Sequence, residues 1–111
     1  MKVKLCVPVP LRTSGAASVP ERRPRSCPPP VMSGSHIDSQ PKGGRFDGIL
    51  GVMGALEVLR TLHENAVVTE RPVVAVNWTN EEGSRFAPAM LCSGVYAGVF
   101  TTEFAYGRED R

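Results

Sequence analysis

The sequence predicts an α/β fold built from βαβ units on a mostly parallel sheet, and three observations predict it. A short apolar stretch at residues 31–35 leads through a polar, glycine-rich loop into a long helical pattern over residues 48–64. An apolar, β-branched run comes next, Val73-Val74-Ala75-Val76-Asn77-Trp78, and a second helical pattern spans residues 88–98, so the order strand, loop, helix recurs once. Two strands joined through a helix need a crossover, and crossovers of this length connect parallel strands of one sheet.

Residues 1–29 are rich in Pro, Arg and Ser and run into Cys27-Pro28-Pro29-Pro30, with neither helical nor alternating periodicity. They read as a disordered or extended leader. The first strand, Val31-Met32-Ser33-Gly34-Ser35, begins after the prolines. The polar loop Asp38 to Arg45 precedes a helix in which Asp47 stands at the N-cap position, and Ile49, Val52, Met53, Leu56 and Leu59 keep the three-and-four spacing of one buried stripe. Pro72 opens the second strand, whose β-branched residues suit burial on both faces. That strand ends at Thr79-Asn80-Glu81-Glu82-Gly83.

With 111 residues the chain can bury one modest core. Its net charge of +2 comes from interspersed acids and bases, without the clustered basic stripe that phosphate binding needs, so nucleic acid is excluded as a partner class. No apolar run approaches the roughly 20 residues of a membrane span, and the first residues lack the continuous apolar core of a secretory signal. Cys6, Cys27 and Cys92 are odd in number and widely spaced, which fits a reducing cytoplasm. The arginines of the leader resemble a mitochondrial address, but Pro8, Pro10 and Pro20 oppose the amphipathic helix such an address forms.

In open α/β sheets ligands bind beyond the carboxyl ends of the strands. Here His36 and Asp38 come after the first strand, while Glu81 and Glu82 come after the second. If the strands are neighbours, these residues and Asp47 converge on one crevice. An imidazole with several carboxylates suits zinc, manganese or cobalt better than calcium, since nitrogen ligands select borderline metals. Two ions fit if one carboxylate bridges them. Adjacent glutamates at a strand end can diverge, one binding metal and the other taking a proton from water whose pKa a zinc ion lowers from about 15.7 to about 7. Asp38 is placed to accept the second imidazole N–H of His36.

Taken singly, these residues read otherwise. Glu81-Glu82 would be a solvated strand end, Asp47 a helix cap and His36 a hydrogen-bonded loop histidine. Their joint pattern reverses this. His63 suits the helix C-terminal dipole, and Cys92 suits a small buried apolar site. The series Gly48-x-x-Gly51-x-x-Gly54 departs from the dinucleotide fingerprint and reads as close packing of helix on sheet. Arg45 and Arg85 could orient a substrate carboxylate, but ion pairs within the fold suit them better.

The segments Gly34-Ser35-His36-Ile37-Asp38-Ser39-Gln40-Pro41, Gly43-Gly44-Arg45-Phe46-Asp47-Gly48 and Thr79-Asn80-Glu81-Glu82-Gly83-Ser84-Arg85-Phe86 together resemble the M20-type metallopeptidase superfamily. The resemblance is closest to the branch of N-carbamoyl-L-amino-acid hydrolases, β-ureidopropionases and allantoate amidohydrolases, and it runs from about residue 30 to about residue 106. It implies that His36 binds one divalent ion, Asp47 bridges two, Glu82 binds the other, Glu81 is the general base and Asp38 is the partner of His36. The ions would be zinc, manganese, cobalt or nickel. The substrate would be a small N-carbamoyl or ureido compound hydrolysed at a linear C–N bond, and full-length members would be homodimers.

The resemblance further implies that residues 30–111 form part of a metallopeptidase-like catalytic domain without its inserted dimerisation domain, behind a leader foreign to the family at 1–29. The family's later metal ligands have no counterpart after Glu82, so the chain is expected to show no appreciable turnover alone. The alternative is a noncatalytic fragment that associates with full-length relatives through exposed sheet edges.

Overall fold

The computed structural model describes residues 28–110, in the order β1 (Val31–Ser35), α1 (Ile49–Glu64), β2 (Val73–Asn77), α2 (Leu91–Tyr96) and α3 (Thr102–Tyr106). The expected leader at 1–29 lies outside these residues except for Pro28 and Pro29. The carbonyl of Pro29 accepts a hydrogen bond from Arg71 Nε at 2.8 Å, and Val31 N–H donates to the Pro72 carbonyl at 2.8 Å. The start of β1 is thereby tied to the entry of β2.

The two strands pair in parallel, with Val31 opposite Val73 and Ser35 opposite Asn77. The helix between them supplies the crossover, as the order of sequence patterns requires. The result is a mixed α/β unit with parallel strands. Among the described residues the sheet has two strands. This explains why β2 alternates rather than being buried on both faces: Val74 and Val76 are buried, whereas Val73, Ala75 and Asn77 are half-buried.

Helix α1 packs on both strands, but along a line displaced from the expected stripe. Ala55 and Leu59 are buried and Val52, Leu56 and Leu62 partly so, while Ile49 and Met53 are exposed. Small residues set this orientation. A Cβ on Gly51 would stand 2.6 Å from Ser35 Cβ and 3.3 Å from the Gly34 carbonyl oxygen, closer than packed atoms approach. The helix therefore meets β1 across a position with no side chain. Gly54 has no such neighbour, so the close-packing role expected of the series holds at Gly51 and not at Gly54.

Asp47 does not cap the helix. Gly48 occupies the N-cap position with φ 69° and ψ −52°, no side-chain cap bond is made, and the Ile49 N–H donates to the Asp47 carbonyl at 2.7 Å. That is a γ-turn centred on Gly48, of the rare hand that needs positive φ.

Beyond β2, a second small core gathers Phe86, Leu91 and Ala105, with Val95 and Phe100 packed against them. The second helix starts at Leu91 rather than near Pro88, because residues 81–90 form an irregular, bent loop tied back to the end of β2. The Met90 N–H donates to the Glu81 carbonyl at 2.6 Å, and Leu91 N–H to the Asn80 carbonyl at 3.2 Å. No helix among the described residues is long and apolar enough to cross a membrane.

Candidate metal centre

Parallel, in-register strands release their chains at the same end of the sheet, so the loop after Ser35 and the loop after Asn77 emerge side by side. Trp78 N–H still donates to the Ser35 carbonyl at 2.8 Å, and beyond that bond the chains diverge. One donor atom each from His36, Glu81 and Glu82 lies within 4.8 Å of the others, the one such grouping of three among the described residues. His36 is buried and the two glutamates are half-buried.

The imidazole is held from its far side. His36 Nδ1 lies 2.9 Å from the backbone carbonyl of Asp38, a geometry in which Nδ1–H donates and Nε2 keeps its lone pair. Nε2 faces Glu81 Oε2 at 3.4 Å. Two acceptors at that distance repel unless a cation or a proton lies between them. The Asp38 carboxylate is 3.6 Å from Nδ1, beyond hydrogen-bond range, so the imidazole N–H goes to the Asp38 main chain instead of its side chain. The carboxylate oxygens are already engaged, Oδ1 accepting the Glu81 N–H at 3.2 Å and Oδ2 the Glu82 N–H at 3.1 Å.

Glu82 is only partly compensated. Its Oε1 is shielded from solvent without a hydrogen-bond partner. Burial is the largest cause holding its pKa above the usual glutamate value of 4.5, followed by the hydrogen bond and charge of Asp47 and the charge of Glu81; His36 acts in the opposite sense. Asp47 is exposed and stands outside the grouping of three, near enough to Glu82 to raise its pKa. One imidazole nitrogen with this set of carboxylates could hold a divalent cation. One nitrogen and two or three carboxylate donors fall within the range a single zinc ion accepts.

Two residues that the motif reading did not assign to the centre shape it. A Cβ on Gly48 would lie 2.6 Å from both His36 ring nitrogens, so the imidazole rests on the bare backbone of the γ-turn. Asn80 is buried with φ 56°, and its Nδ2 donates to the carbonyls of Phe86 at 2.5 Å and Pro88 at 3.2 Å. It turns the chain at the end of β2 and fastens the loop that carries the glutamates. The available signal was the placement of Asn directly before the pair, since Asn enters left-handed backbone more readily than other side chains.

The other candidates lie in ordinary settings. Arg85 makes a two-point ion pair with Asp110, and the hydrogen bond to Asp110 is the main cause raising its pKa. Arg45 is exposed, and His63 is exposed in the last turn of α1. Cys92 is buried in α2.

The sequence profile of Peptidase family M20/M25/M40 matches residues 32–107. The chain belongs to that family. It is 60% identical over 81 residues to the N-carbamoyl-L-amino-acid amidohydrolase of Rhizobium meliloti, covering 73% of this chain and 20% of that protein. It is 37% identical over 84 residues to allantoate deiminase 2 of Glycine max, covering 71% and 17%. Among solved structures, a hydantoinase/carbamoylase family amidase from Burkholderia multivorans superposes with TM-score 0.72 at 63% identity, covering 75% of this chain and 20% of that one. This M20 chain thus spans about a fifth of the length of the curated relatives it matches. Its relatives are hydrolases of the carbamoylase and amidohydrolase kind.

Proposed function

We propose that this chain carries part of the metal centre of a hydrolase that cleaves linear C–N bonds in N-carbamoyl amino acids or related ureido compounds. The observation that carries the reading is the convergence of the His36 imidazole with the carboxylates of Glu81 and Glu82 at the carboxyl ends of two parallel strands. The names of the relatives support the substrate class.

In this reading His36 holds one divalent ion, Glu82 a second and Asp47 both, with zinc, manganese, cobalt or nickel as the ion. Bound there, the ions would polarise the scissile carbonyl and lower the pKa of water. Glu81 is the proton carrier. It would take a proton from the attacking water and return it to the departing nitrogen, a task for a carboxylate beside the site and within reach of its centre. The Asp38 carbonyl keeps the His36 proton on Nδ1, so that Nε2 stays available as a donor. Among the described residues these four side chains, one of them reserved as base, leave each of two ions fewer protein ligands than the three that zinc centres normally need. The chain by itself is therefore expected to bind metal and to release no appreciable ammonia from an N-carbamoyl amino acid.

Calorimetric titration with zinc tests the reading. Binding to the purified chain is expected, and His36→Ala, Asp47→Ala and Glu82→Ala should each weaken it severely. Glu81→Gln should largely preserve binding if Glu81 is the base, whereas loss of binding would make it a ligand. Affinity should also fall on acidification, starting above the pH range of an ordinary carboxylate. The sign comes from Glu82: its pKa is raised, so the folded chain holds that proton more tightly than the unfolded chain does. Its contribution to apo stability is complete below 4.5 and is lost as pH rises through the raised value, and metal must displace the same proton. No zinc uptake at neutral pH would sink the proposal.

A second reading is noncatalytic association through the sheet. Each strand has one edge without a partner strand among the described residues, Val31 is 47% exposed, and Phe46, Leu50 and Met53 are exposed near the start of α1. Unpaired edges beside apolar surface favour association. Sedimentation should show self-association that rises with concentration; a monodisperse monomer at high concentration would rule this reading out.

A further inference from the structure

The centre needs two loops held at a fixed separation, yet the ladder joining the strands gives out before it reaches them. Its last main-chain bond is Trp78 N–H to the Ser35 carbonyl. The donors lie beyond it, His36 on one loop and Glu81 and Glu82 on the other. The next connection between the loops is made by a side chain, with the two Asp38 oxygens accepting the amide N–H groups of Glu81 and Glu82 at 3.2 and 3.1 Å.

Successive amides face one anion only where the backbone bends out of the extended form. The left-handed Asn80, with φ 56°, supplies that bend immediately before the pair. Such bends make small anion-binding concavities from consecutive N–H groups. The anion occupying this one is the chain's own Asp38 carboxylate. Meanwhile the carbonyl of the same residue lies 2.9 Å from His36 Nδ1.

We propose that Asp38 is a positioning residue that sets the spacing between the imidazole and the glutamate pair. Its carbonyl fixes His36, and its carboxylate fixes the main chain of Glu81 and Glu82. This rests on the metal-site reading above, but it assigns the carboxylate a different task from steering the imidazole. A single residue thus ties the donors of β1 to those of β2, and their distance is set before any ion arrives.

Asp38→Asn in the full chain decides the matter, because it keeps the shape and one acceptor oxygen but puts an NH2 where the second oxygen stood. The amide NMR signals of Glu81 and Glu82 and a zinc titration are the readouts, with the absorption spectrum of the cobalt-loaded chain as a third. One of the two amide signals should move strongly and its hydrogen exchange should quicken. Zinc affinity should fall by about 10–100-fold, the usual effect of removing a residue that orients ligands. The cobalt spectrum should change as the donors shift. Asp38→Ala should move both amide signals.

Unmoved amide signals in Asp38→Asn would overturn the inference. So would a variant that melts earlier while its folded form keeps zinc affinity and cobalt spectrum, which is the signature of a merely structural role. If the unmutated chain takes up no zinc, the metal-site reading fails separately; moved amide signals would then still support the clamp, and unmoved ones would overturn it.

Discussion

Gly48→Ala is expected to lower zinc affinity by about 100-fold, at the upper end of the range for changes beside the ligands themselves. Two effects act together. Alanine in a positive-φ backbone costs about 1–2 kcal/mol, and the γ-turn at Gly48 sits at φ 69°. The larger effect is spatial: the new Cβ would stand 2.6 Å from both ring nitrogens of His36. The imidazole is buried and cannot slide aside without surrendering its bond to the Asp38 carbonyl. Zinc titration of the variant measures the loss, and Gly54→Ala is the control. Gly54 lies within α1, the helix that Gly48 precedes, with no atom near its would-be Cβ, so alanine there should stabilise the chain by about 0.5–1 kcal/mol and leave zinc binding alone. Equal zinc affinity in Gly48→Ala and the unmutated chain would mean that His36 does not depend on the bare turn.

Asn80→Ala should be the most destabilising change among the residues of the glutamate loop, by about 2–4 kcal/mol. It removes the amide that donates to the Phe86 and Pro88 carbonyls, and it leaves a residue with no special tolerance for φ 56°. Asn80→Gly separates the two causes, because glycine accepts the backbone but makes neither bond. Urea midpoints of both variants, with and without zinc, provide the check. Asn80→Gly should be the milder of the two, and both should bind zinc more weakly, since the loop they loosen carries Glu81 and Glu82. An Asn80→Ala chain as stable as the original would show that the second core around Leu91 holds the loop unaided.

The limits of each strand and of α1 were legible because they rest on local rules. Prolines precede both strands, β-branched residues fill β2, and a three-and-four apolar pattern runs through α1. The face that α1 turns to the sheet was less legible. Apolar periodicity points to Ile49 and Met53, but the contact is decided by the absence of a side chain at Gly51, which hydrophobicity does not weigh. The five-residue α3 is too short to show a period, although Thr101 caps it through its hydroxyl. At the candidate site, the convergence of His36, Glu81 and Glu82 was legible because both strands end in them and parallel strands end side by side. Their hydrogen bonds were not. Asp47 reads as a cap from its position, yet Gly48 takes the N-cap and no side chain caps the helix; Asp38 reads as the imidazole's partner, yet its oxygens find backbone amides 43 and 44 residues away.

The in-register pairing of Ser35 with Asn77 also bears on which changes of chain length this fold can absorb. The stretch between α1 and β2 enters the sheet at the end opposite the donor groups, and lengthening it ahead of Arg71 and Pro72, which are bonded to the start of β1, costs little, about 0.6 kcal/mol for each doubling. Insertions there should leave the ligand geometry untouched. One residue added or removed between Ser35 and Asp38, or between Asn77 and Glu82, would instead displace a donor by roughly the 3.3 Å rise of one extended residue, more than any metal–ligand bond can stretch. Tolerance to insertion and deletion is thus divided sharply along this chain, and the boundary falls where the strands end.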